Sequence, residues 1–178
     1  GLDDNIVVPI ASGGLLFTLS LLDPASWSSP SSSTRVWVLA NLPWAFGVNA
    51  ALAVAAYAAR SVSISGAVAG ILVGGTLYAF GGWRCFLMLV VFFVLGTAAT
   101  KTGYARKAAL GIAQERGGRR GAKNAVANCG VGALLAFVAG TSSYEGLALL
   151  GLVAAFATAV CDTVSSEIGQ AYGRTTYL

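Results

Sequence analysis

The sequence predicts an all-α integral membrane protein: a bundle of about six transmembrane helices in one domain spanning residues 1–178. Three observations carry this. Charged residues make up 10% of the chain, against about 25% in an average soluble domain. Hydrophobic residues make up 56%, and the mean hydropathy is +0.74. The few charges are also spaced so that long uncharged runs lie between them. A compact soluble protein could not cover its surface with so few charges. Disordered chains, coiled coils and ordinary soluble globules are excluded on the same grounds.

The runs give the elements in order. Residues 6–22 form a first candidate span. The stretch from Asp23 to Arg35, rich in serine and holding Pro24 and Pro30, reads as a loop. No charge lies between Arg35 and Arg60, or between Arg60 and Arg84, which gives spans at 36–59 and 61–80. Roughly 17–25 apolar residues cross a bilayer. The uncharged run from Asn124 to Tyr144 gives a span at 124–140, and two shorter runs give spans at 84–100 and 145–165, with flanking polar side chains snorkelling to the interface. Pro43 is placed to kink the second span. Gly66, Gly70 and Gly74 make a small-residue stripe for close helix packing, which reads as architecture.

Seven of the eleven Lys/Arg residues lie between Lys101 and Lys123. The positive-inside rule puts this loop on the cytosolic side, or the stromal side in a plastid. Six spans place both termini there too, with Arg60 and the end of the last span. Tyr104, Ala108 and Ile112 recur every four residues, so about 103–116 is expected as an interfacial amphipathic helix ended by Gly117-Gly118. Gly1 in place of Met reads as a processed or trimmed start, which hides any leader.

Histidine is absent, which removes histidine triads, histidine bases and the usual zinc sets. Cys85, Cys129 and Cys161 form no CxxC pair and read as small apolar residues in helices. Two constellations remain. Arg119, Arg120 and Lys123 precede Asn124 and Asn128, and Arg120, Asn124 and Asn128 fall at i, i+4 and i+8, on one face at the mouth of a span. Forked guanidiniums and amides beside glycines suit a polyphosphate. The plain alternative is a topology signal that touches only lipid headgroups.

In the second, Asp162, Ser166, Gly169 and Gly173 share one helical face. Asp162 follows 16 uncharged residues, so its carboxylate needs a partner or a metal. Magnesium takes one or two carboxylates plus phosphate oxygens. Glu167 lies about 140° away on an ideal helix. The bland readings are a loop-arginine partner for Asp162 and a solvated interfacial carboxylate for Glu167. Glu115 is expected to pair with Arg119 or Lys107.

Three stretches together carry a resemblance: SISGAVAGILVGG (63–75), ERGGRRGAKNAVANCG (115–130) and DTVSSEIGQAYG (162–173), with GGWRCF (81–86) and TAATK (97–101) between them. The sequence resembles the phytyl-phosphate kinase family of the vitamin E pathway over about residues 49–178. Its acidic motif is more loosely similar to that of CTP-using membrane enzymes such as dolichol kinases. The resemblance implies transfer of the terminal phosphate of a nucleoside triphosphate, CTP first, to phytyl phosphate or a related isoprenoid phosphate. The diphosphate would feed tocopherol synthesis in a chloroplast membrane, envelope or thylakoid. Family members continue past the acidic motif, so an end at Leu178 reads as a truncation.

Under that resemblance Asp162 binds Mg²⁺, with Glu167 assisting directly or through water. Arg119, Arg120 and Lys123 hold the triphosphate and acceptor phosphate, with Lys101 beside them. Asn124 and Asn128 orient phosphate, metal water or nucleotide, and Ser166 and Gly169 allow close approach. The expected partners are the bilayer, an isoprenoid phosphate and a nucleoside triphosphate, not nucleic acid. An isoprenoid alcohol kinase, a lipid-phosphate transporter and a structural membrane subunit stay open as other readings.

Overall fold

The computed structural model describes residues 32–173. The helices are α1 Ser32–Ala58, α2 Ile64–Lys101, α3 Tyr104–Ala109, α4 Glu115–Gly118, α5 Ala122–Thr141 and α6 Glu145–Tyr172. No strand occurs among the described residues; Val62 and Arg120 form one isolated parallel bridge. The first expected span and most of the serine-rich loop lie outside the described residues. Helix already runs from Ser32, inside the last part of the expected loop. Pro43 sits inside α1.

The 38 residues of α2 do not form one rod. Gly82 has φ 77° and ψ 179°, conformations open to glycine and strained for other residues. The chain folds back there. Gly66 and Gly96, on either side of the break, both abut Arg120, and Gly74 abuts Leu89. The halves 64–81 (α2a) and 83–101 (α2b) are therefore an antiparallel hairpin, each about 27–29 Å long at 1.5 Å per residue. The third and fourth expected spans are these two halves. Four helices are long and apolar enough to cross a membrane, and the hairpin makes them five crossings among the described residues.

We expect Gly82→Ala to destabilise by about 1–3 kcal/mol through strain at this bend. Gly146→Ala, in a helix with nothing near its Cβ position, should instead gain about 0.5–1 kcal/mol. Thermal unfolding of the two variants, followed by tryptophan fluorescence, checks the contrast.

The bundle packs through small residues. A Cβ at Gly132 would lie 2.7 Å from the Phe156 ring, and one at Gly140 would lie 2.9 Å from the Phe80 carbonyl oxygen. Lipid offers no hydrophobic drive between helices, so such close approach and its dispersion contacts hold them together. Leu77, Phe92, Ala136, Leu152 and Phe156 fill the core, with Phe92 edge-on to Phe156 at 6.3 Å. Val94, Leu134, Leu150 and Val153 face outward, as a bilayer requires.

The contacts fix which ends lie together. The α1–α2 turn pairs with Arg120, and the end of α2b meets Glu167 near the end of α6. Gly140 meets Phe80 at the opposite end, near the Gly82 bend. Arg60 and all seven cations of 101–123 thus share one end with the acidic end of α6, as the charge pattern predicts.

Candidate functional site

The 101–123 segment differs from the expected amphipathic helix. Only Tyr104–Ala109 is helical in its first half, and Gly111 (φ 70°) turns the chain left-handed. The Tyr104 hydroxyl then donates to the Gln114 carbonyl at 3.1 Å, folding the loop back on itself. Gly117 and Gly118 take φ 69° and 79° within α4, so they do not end the first helix, which stops at Ala109. The face that enters the bundle is also different. Ile112 is exposed, whereas Lys107 is fully buried.

Lys107 is the anchor of the loop. Its Nζ donates to Glu167 Oε2 at 2.7 Å, to the Thr100 carbonyl at 2.9 Å and to the Ala99 carbonyl at 3.4 Å. Those carbonyls belong to the last turn of α2b, where backbone acceptors lack helical partners and the helix dipole favours a cation. The other Glu167 oxygen accepts from the Thr100 hydroxyl at 2.8 Å. Arg120 Nη2 donates to that same hydroxyl oxygen at 3.2 Å. A buried chain therefore runs Lys107–Glu167–Thr100–Arg120.

Burying an ion pair in a membrane-embedded bundle is costly unless the remaining lone pairs and protons are used. Here all three Lys107 protons have acceptors, and both carboxylate oxygens have donors. Glu167, expected as a helper in metal binding, is instead the counter-ion of this network. Lys107 pairs with it. The ion pair is the one between side chains among the described residues.

Arg120 also departs from its expected place. It precedes α5 and lies in extended backbone, where its N–H donates to the Ser61 carbonyl and its carbonyl accepts from Ser63 N–H, both at 3.0 Å. Its side chain turns back into the bundle, with Cζ 5.5 Å from the Phe92 ring centroid. Gly96 leaves room for it; a Cβ there would lie 2.7 Å from Nη2. Burial pushes the guanidinium pKa down, and the Glu167 charge opposes that shift. An arginine in this setting stays cationic. Its Nε is buried and has no hydrogen-bond partner among the described residues.

Beside Arg120 opens an apolar groove of about 410 Å³, within the usual range for small-molecule sites. Its walls come from α1, both halves of α2 and the start of α5. Its polar end holds Ser61, Arg120, Gly121 and Asn124, and Asn49 marks its far end. Asn49 lies ten positions before Ala59, which follows the end of α1, so the groove runs about 15 Å from the basic end. That is about half the thickness of a bilayer's hydrocarbon core.

The other expected residues spread out. Asn124 lines the groove and donates to Gln114 Oε1 at 3.4 Å. Asn128 donates to the Asn124 carbonyl at 2.9 Å and does not line the groove; its Oδ1 is buried without a partner among the described residues. Arg119 is half-buried, and Lys101 and Lys123 are exposed on the same end. Asp162 is half-buried, while Ser166 and Gly169 are exposed on α6. Because α6 is continuous, Asp162 and Glu167 stay on different faces. The described residues hold no cluster of three or more His, Cys, Asp or Glu. The structure therefore places Arg120 and Asn124 at the polar end of the groove, ties Glu167 to Arg120 through Thr100, and leaves Glu167, Asp162, Ser166 and Gly169 outside the lining.

The sequence reading missed Lys107 and Thr100. One local signal was available for Lys107. It lies at i+3 from Tyr104 and next to Ala108, on the apolar stripe itself, where a lysine needs a partner. Its partner, 60 residues away, has no local signature.

Comparison with known proteins adds the family. The model of the integral membrane protein family DUF92 matches residues 47–178. The chain is 43% identical over 121 residues to "Protein VTE6, chloroplastic" of Arabidopsis thaliana, which covers 66% of this chain and 36% of that protein. It is 38% identical over 109 residues to "Uncharacterized membrane protein sll0875" of Synechocystis, covering 60% and 42%. It is 28% identical over 135 residues to "Protein PGR" of Arabidopsis thaliana, covering 68% and 46%. The chain thus spans less than half the length of these relatives. No solved structure matches it. The match over most of the chain, with the bundle described above, makes this an integral membrane protein of the DUF92 family.

Proposed function

We propose that the chain forms the acceptor end of a membrane kinase that extends an isoprenoid phosphate, phytyl phosphate first, to the diphosphate. The carrying observation is the apolar groove that ends at a buried arginine whose Nε has no partner among the described residues. An apolar tail with an anionic head matches both halves of that site. The resemblance to the phytyl-phosphate kinase family and the 43% identity to the chloroplastic relative support the reading. They also support a chloroplast membrane as its place and tocopherol synthesis as its destination.

In the reaction, an oxygen of the acceptor phosphate attacks the γ-phosphorus of the nucleoside triphosphate, CTP in this reading. The bond from that phosphorus to the β-phosphate oxygen breaks, and the nucleoside diphosphate leaves. The nucleophile is already anionic, so no strong base is required. Phosphoryl transfer then rests on positioning and charge neutralisation. Arg120 and Asn124 hold the acceptor phosphate. Arg119, Lys101 and Lys123 form the rim that draws in the triphosphate, and Asn128 supports Asn124 from the next turn. Lys107, Glu167 and Thr100 position Arg120.

A magnesium ion bound with the nucleotide would need only one or two protein carboxylates and would neutralise triphosphate charge. Asp162 is half-buried and forms no ion pair among the described residues, and Ser166 and Gly169 are exposed on its face; it would hold the metal there. An alcohol kinase would need a base for the hydroxyl proton; Glu167 is engaged by two donors and Asp162 lies outside the groove lining. That geometry favours the phosphate as acceptor.

The test is transfer of labelled γ-phosphate to phytyl phosphate in membranes, comparing CTP, UTP, ATP and GTP. It is run with this chain and with a version extended to the relatives' length. Labelled diphosphate is expected from the extended protein, and its loss in Asp162→Asn would support the metal role. No transfer from either would sink the kinase reading and favour transport or a structural role.

A further inference from the structure

The three glycines of the α2a stripe do different things. A Cβ at Gly66 would land on the Arg120 carbonyl oxygen, and one at Gly74 on the Asn49 side chain. Both are packing positions. Gly70 lies between them, lines the groove, and has nothing within 4 Å of its Cβ position. A side chain there would enter open groove and displace no neighbour. Close helix contact therefore does not require glycine at 70, whereas an open groove does.

We infer that Gly70 sets the length of isoprenoid tail that the groove accepts, an inference that rests on the proposed isoprenoid-phosphate reading. Arg120 fixes the head of such a molecule. It is buried and lines the polar end of the groove, and its Nε is without a hydrogen-bond partner among the described residues. With the head fixed, a filled position part-way along the groove stops a long tail but spares a short one. Gly70 lies one turn beyond Gly66, which abuts the Arg120 backbone. Ala53 lies across the groove from it, because the antiparallel pairing of Asn49 with Gly74 places residue 53 opposite residue 70.

The experiment measures retention of geranyl, farnesyl and phytyl monophosphates by the protein in nanodiscs. Wild type is compared with Gly70→Ala, Gly70→Leu and Ala53→Leu, each checked by thermal unfolding. The phytyl-to-geranyl affinity ratio is expected to fall about tenfold or more in both leucine variants, and less in Gly70→Ala. Ala53→Leu narrows the same section from the facing helix, so it decides the matter if Gly70→Leu does not fold. An unchanged ratio in folded variants, with wild type still retaining phytyl phosphate, overturns the inference and leaves the proposed function standing. No retention of any isoprenoid phosphate by wild type removes both.

Discussion

Replacing Glu167 with Leu should destabilise the bundle by about 3–5 kcal/mol, because it leaves a buried lysine with no counter-charge. Lys107 is 0% exposed, and its shortest contact is the 2.7 Å bond to Glu167. Nothing in the apolar bundle can replace that carboxylate. The reverse single change, Lys107→Met, should also be costly, since Glu167 would keep only the Thr100 hydroxyl. The double variant should recover most of the loss. Buried pairs replaced together by apolar groups of similar size are often neutral or stabilising. Thermal unfolding of the four proteins in one detergent gives the coupling directly. Additive losses in the double variant would show that the two residues do not form the pair described.

The recovered double variant separates stability from function. Thr100 would lose Glu167 as an acceptor, and Arg120 would lose the nearby negative charge that opposes its desolvation. The double variant is therefore expected to fold but transfer phosphate poorly. Full activity in it would demote the network to a structural tie.

The second large effect is expected at Arg120. Arg120→Gln should lower phosphate transfer about 10²–10³-fold, the scale for losing one preorganised donor at a centre of developing charge. Its backbone bonds to Ser61 and Ser63 survive the substitution, so the loop should stay docked. Arg120→Lys keeps the charge but loses the fork and the stacking on Phe92, and should fall between the two. Transfer rates, normalised to folded protein in the membrane, check the order. Equal activity in all three would remove Arg120 from the site.

Much of the bundle is legible in the sequence because charge alone delimits membrane spans. Arg60 and Arg84 bracket α2a, and the run after Arg84 gives α2b. The sharp break at Gly82 is less legible, since GGW looks like many other glycine pairs and φ cannot be read from composition. Helix periodicity carried Asp162, Ser166 and Gly169 onto one face, and α6 is indeed continuous there. It failed at Arg120, where an i, i+4 pattern extended the helix past its true start at Ala122. The backbone there pairs with the α1–α2 turn, a contact 58 residues away that periodicity cannot detect. It failed again at Lys107, whose burial depends on Glu167 and on the carbonyls of α2b. The local spacing of a basic loop shows its charge and not which cation turns inward.

An isoprenoid phosphate is expected to lie in the α1–α2–α5 groove with its head at Arg120. The most direct measurement is photocrosslinking with a phytyl monophosphate carrying a photoreactive group part-way along its tail. Labelled peptides are then mapped, with and without excess phytyl phosphate. Labelling should fall on groove residues such as Ala53, Gly70 and Phe93, compete with phytyl phosphate more strongly than with phytol, and weaken in Arg120→Gln. Labelling spread over the lipid-facing residues, with no competition and no dependence on Arg120, would contradict it.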